Sequence, residues 1–156
     1  MELRESINEV LNDLVMINND RIAGYEKATS ELAGLDIDLK ALFEQMKSQS
    51  TENKEELAQK IEGNGGIVDN DTSSAGKIYR AWMDIKSTFT AGDRHSILAN
   101  CEFGEDAALR AYEAALSSGL LLDASFRELV ETQRASLQKS HDLIKQQRDA
   151  HKSLQK

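Results

Sequence analysis

The chain has 156 residues, of which 40% are hydrophobic and 29% charged, and its net charge is −8. That length fits one domain with a real core, and the acidic balance disfavours non-specific binding to nucleic acid or to anionic membrane. The single cysteine, Cys101, excludes an intrachain disulfide and a thiolate metal cage, and it fits a reducing compartment.

There is no proline, so nothing forbids long uninterrupted helices. The first is expected from Leu3 to Ala33, on a stripe of Ile7, Leu11, Leu14, Asn18, Ile22, Tyr25 and Leu32. Gly34 is a plausible stop. Asp36 or Asp38 can cap the second helix, which runs to Gly63 along Leu39, Leu42, Met46, Gln49, Asn53, Leu57 and Ile61. Gly63-Asn64-Gly65-Gly66 ends it. After a loop rich in Asp and Asn, Ser73 or Ser74 starts a shorter helix to Phe89, with Tyr79 and Trp82 on its apolar side.

The third long helix is expected from Asp93 to Leu116, along Ile97, Cys101, Glu105, Ala108, Tyr112 and Ala115. Ser117-Ser118-Gly119 separates it from the last helix, Asp123 to Ser153, which uses Phe126, Val130, Leu137, His141 and Ile144. Its basic end, including Lys145, Arg148 and Lys152, reads as a solvated face. Short loops make each pair of long helices an antiparallel hairpin, and a long crossover joins the pairs. The expectation is an all-α, single-domain four-helix bundle of ferritin-like topology, with a short extra helix in the crossover.

Each long helix carries a polar residue on its apolar stripe near mid-length: Asn18, then Gln49 with Asn53, then Glu105, then Ser140 or His141. Tyr25 and Tyr112 can bring hydroxyls beside them. An unpaired buried polar group costs about 1–3 kcal/mol, so several at one level imply a shared network. One reading is a metal site. A ferritin-like diiron centre takes a Glu from each of two helices and Glu-x-x-His from each of the other two. Here the corresponding pairs are Thr51-x-x-Lys54 and Gln138-x-x-His141, and Asn18 stands in place of an acid. Only Glu105 and His141 remain as ligands, too few for a dinuclear centre. They leave room for iron or another divalent metal at a degenerate site that borrows Glu102 or Glu26. The other reading is a hydrogen-bonded layer of Asn18, Tyr25, Gln49, Asn53 and Tyr112 that fixes helix register.

At these residues the chain resembles a family of uncharacterised bacterial ferritin-like four-helix-bundle proteins, a domain of unknown function of similar length. The matching stretches are Leu14-Val15-Met16-Ile17-Asn18-Asn19-Asp20-Arg21-Ile22-Ala23-Gly24-Tyr25-Glu26, Ala81-Trp82-Met83-Asp84-Ile85-Lys86, Cys101-Glu102-Phe103-Gly104-Glu105-Asp106 with Ala111-Tyr112, and Ser140-His141. The resemblance implies a ferritin-like fold. It supplies no established activity, so no catalytic residue carries over, and fold alone does not license an oxidase function.

No phosphate loop or nucleophile elbow is present. The expectation is therefore a soluble, non-catalytic protein that acts by interaction or assembly, with a role under stress suggested by analogy to ferritins. Metal binding around Glu105 and His141 is the alternative, and a small-molecule carrier is a third class. A homodimer is the expected assembly, as is common among bundles. Met1-Glu2-Leu3-Arg4-Glu5 has no apolar targeting segment and no run approaches a membrane span. A cytoplasmic location is expected, with the protein partner unknown.

Overall fold

A computed structural model of the chain describes residues 2–32, 36–68, 94–121 and 123–154. They form α1 (Glu2–Glu31), α2 (Ile37–Gly63), α3 (Arg94–Ser117) and α4 (Ala124–Leu154), with no strand among the described residues. The short crossover helix expected at 73–89 lies outside them, as do Tyr79 and Trp82.

The helix ends follow from local chemistry. After α2, Gly65 adopts φ +78°, where a side chain would strain the backbone. Its N–H bonds the Glu62 carbonyl at 3.0 Å, and the Gly66 N–H bonds the Ile61 carbonyl at 2.9 Å. These two bonds are a Schellman stop, which satisfies carbonyls that the helix end would orphan. At the start of α4, the Asp123 carboxylate accepts the Ser125 N–H at 2.8 Å, as an N-cap acid should. Asp36 stands at the N-cap of α2 but makes no side-chain cap. Its carboxylate binds Arg94 at 2.8 Å instead, and Arg94 also reaches Asp38 at 2.8 Å. A full positive charge outcompetes a backbone N–H for that acid.

The helices close a ring in which α1 packs on α2 and α3, and α4 packs on α3 and α2. The chain leaves α2 beside the start of α1, where Asn64 pairs with Asn8 and Asn12 bonds the Ile67 carbonyl. It re-enters at Arg94, beside the start of α2. The link between the hairpins therefore joins opposite ends of the bundle, as the ferritin-like topology requires.

Two apolar clusters fill the interior. One gathers Leu11, Leu14, Leu57, Ile61, Leu121, Val130 and Leu137 toward the start of α1. The other gathers Tyr25, Leu39, Phe43, Met46, Ile97, Leu98 and Ile144 toward its end. Between them lies a polar layer of Asn18, Arg21, Ser50, Asn53, Glu105, Gln133 and Ser140, all buried.

Candidate functional site

The layer has two parts. The first is a closed ring of hydrogen bonds through all four helices. Asn53 Nδ2 donates to Asn18 Oδ1 at 3.3 Å, and Asn18 Nδ2 donates to the Tyr112 hydroxyl at 2.9 Å. Tyr112 donates to Gln133 Oε1 at 2.7 Å, and Gln133 Nε2 returns to the Asn53 carbonyl at 3.1 Å. Each group serves a partner on a different helix, so slipping any helix by a residue would orphan buried polar atoms. Gln49 stands outside the ring. It is half-buried and accepts from Ser140 at 3.0 Å.

The second part is a buried ion pair one turn along α1. Arg21 and Glu105 are both fully shielded from solvent, and the Arg21 Nε donates to Glu105 Oε1. Its Nη2 donates to Glu105 Oε2 at 3.2 Å and its Nη1 to Ser50 Oγ at 2.8 Å. The Tyr25 hydroxyl donates to Glu105 Oε1 at 2.8 Å, and the Tyr25 ring lies 5.5 Å from the guanidinium. Burial alone would lower the Arg21 pKa, but Glu105 beside it raises it above the ordinary value. Burial, reinforced by Glu105, holds the Tyr25 phenol well above its usual range, so it remains a donor. Burial and the nearby Glu105 also push up the Cys101 thiol, which is fully covered one turn away. Native Cys101 should therefore resist iodoacetamide at pH 8 and react promptly in urea. Rapid labelling of the folded protein would contradict that burial.

His141 does not join Glu105. It is half-buried between α3 and α4, with Nε2 2.7 Å from Asp106 Oδ1 and 3.9 Å from Glu102 Oε1. Glu102, Asp106 and His141 offer ligand atoms all within 4.8 Å of one another, the one such group among the described residues. Arg148, expected on a solvated face, pairs with the other oxygen of Glu102. Thr51 is exposed and bonds its own helix at the Lys47 carbonyl, while Lys54 is half-buried. Gln138 lies at the rim, bonded to Asp142.

The donor set answers whether the interior layer fits a diiron centre. Two irons need several anionic ligands to balance their charge. Among the described residues the fully buried carboxylates are Glu105 and Asp20, and a permanent protein cation already holds both oxygens of Glu105. Asn18, Asn53 and Gln133 are neutral and committed to one another. These residues do not fit a dinuclear metal.

Sequence reasoning missed Arg21, Ser50 and Gln133. Arg21 had a signal: it stands between Asn18 and Tyr25 at helical spacing, and a lone buried Glu105 demands a counter-charge.

The family of a domain of unknown function, DUF2383, matches residues 6–118, from the second turn of α1 to just past α3. The chain belongs to this family. Among solved structures, it is similar to a Dps1 mutant from Mycobacterium smegmatis, with a TM-score of 0.82 and 15% identity over 94% of this chain and 97% of that one. It is also similar to a structure described as ferritin-like, diiron-carboxylate proteins from Bacillus anthracis str. Ames. There the TM-score is 0.67 and the identity 18%, over 94% of this chain and 96% of that one. At such identities the likeness establishes the ferritin-like fold and no chemistry. No curated protein matches the chain. Among the described residues, no helix is long and apolar enough to cross a membrane.

Proposed function

We propose that this DUF2383 protein uses the ferritin-like bundle as a scaffold, without an interior dinuclear oxidation centre, and works through its surface. The observation that carries this reading is the Arg21–Glu105 pair. It puts a fixed guanidinium where a metal centre would need anionic ligands and binds both oxygens of the layer's buried carboxylate. The ring through Asn18, Asn53, Tyr112 and Gln133 then serves helix register, as single buried polar residues do in coiled coils.

The test is anaerobic iron(II) loading of tag-free protein, followed by exposure to air. Iron per chain is measured by mass spectrometry and oxygen uptake by electrode. The expected result is no dinuclear stoichiometry and no oxygen uptake above that of iron in buffer. Two irons per chain that disappear in Glu105→Ala would overturn the reading.

A further inference from the structure

Outside the interior layer, one cluster of side chains is arranged for a ligand that the scaffold reading does not use. We propose that Glu102, Asp106 and His141 form a mononuclear site for a first-row divalent transition metal in the cleft between α3 and α4.

Glu102 and Asp106 are four residues apart on α3, so both project from one face. His141 meets them from the facing helix. Their ligand atoms lie within 4.8 Å of one another. Metal–ligand bonds of about 2.0–2.2 Å are then reached by small side-chain rotations.

The orientation of the imidazole is an independent argument. His141 Nδ1 is 3.2 Å from Asp142 Oδ1, and that same oxygen accepts Gln138 Nε2 at 3.1 Å. Asp142 can therefore accept the Nδ1 proton when a metal takes Nε2, the nitrogen that faces Asp106 and Glu102. A carboxylate behind a histidine that points its other nitrogen at more carboxylates is the arrangement found around ligating histidines. Arg148 does not block the site. It holds Glu102 Oε2, leaving Oε1 as the oxygen turned toward His141.

Charge supports the same ligand. Glu102, Asp106 and Asp142 bring negative charge for a divalent ion to meet, opposed by Arg148 on Glu102 and by Arg110 on the cleft wall. One nitrogen and two carboxylate oxygens suit zinc, iron(II) or manganese(II) better than magnesium or calcium, which prefer all-oxygen shells. A cleft of about 330 Å³, lined in part by Asp106, His141, Gln138 and Glu113, opens onto the site. It gives water or a small ligand access to the remaining coordination positions. The alternative is a metal-free cluster in which His141 only hydrogen-bonds Asp106 and Asp142.

The experiment is calorimetric titration of the metal-free protein with zinc chloride at pH 7.5, repeated with Asp106→Asn, His141→Gln, Asp142→Asn and, as a control on α2, Glu44→Gln. The expected result is one zinc per chain. Asp106→Asn and His141→Gln should abolish it, Asp142→Asn should weaken it by about 10–100-fold, and Glu44→Gln should leave it intact. Circular dichroism confirms that each variant is folded, and cobalt(II) absorption provides a second readout of nitrogen–oxygen coordination. No zinc binding by the wild type, or binding that Asp106→Asn and His141→Gln leave unchanged, would overturn the proposal. Its failure would leave the interior reading standing, because Glu105 and Arg21 take no part in this site.

Discussion

Arg21→Ala is expected to destabilise the protein by about 3–5 kcal/mol, because it leaves the Glu105 carboxylate buried without its cation. A domain of this kind is stable by about 5–15 kcal/mol, so the loss is a large share of the total. Several contacts vanish together: the charge-assisted bonds to Glu105, the bonds to Ser50 and Met46, and the packing over Tyr25. Urea unfolding should show a lower midpoint with an unchanged slope. The pair variant Arg21→Met with Glu105→Leu should recover much of the loss, since replacing both members of a buried ion pair by apolar groups is often neutral. Such a rescue would assign the pair to helix specificity more than to stability. A loss below about 1 kcal/mol for Arg21→Ala would mean that Glu105 does not depend on this cation, and the scaffold reading would lose its main support.

The fold was legible because the apolar stripes are long and no proline interrupts them. The expected ends of the four long helices fall within two residues of those observed. The polar layer was legible in part. Asn18, Asn53, Glu105 and Tyr112 sit on stripes otherwise made of apolar residues, and all four are buried. What periodicity could not resolve was direction around each helix. A helix in a bundle has two neighbours, and the stripe that meets one borders the stripe that meets the other. On α3, Glu105 turns to α1, while Glu102 and Asp106, three residues before it and one after, turn to α4. Pairing His141 with Glu105 therefore chose the wrong flank of the right helix as its nearest partner. On α1 the same ambiguity favoured Ile22 over Arg21, because an arginine is rarely fully buried. Only the charge of Glu105, a long-range fact, reverses that preference. The cap at Asp36 failed for a similar reason: Arg94, far along the chain, competes for its carboxylate.

Phe43→Ala should cost about 3–5 kcal/mol, the range for emptying a large aromatic site in a packed core. Phe43 is fully buried on α2, and its ring lies 5.3 Å from that of Tyr25 at 47°. The cavity would open against the residue whose hydroxyl steadies Glu105. Two effects should therefore appear together: loss of apolar packing, and loss of the wall that fixes Tyr25. Phe43→Leu keeps much of the volume and should cost distinctly less than the alanine variant. A double-mutant cycle of Phe43→Leu with Tyr25→Leu should give a coupling of about 0.5–1.5 kcal/mol for the ring pair. If Phe43→Ala and Arg21→Ala are combined, their costs should not add, because Tyr25 touches both sites. Additive costs would show that the apolar cluster and the ion pair are independent. The bundle would then tolerate changes in its polar layer without disturbing the packing beside it.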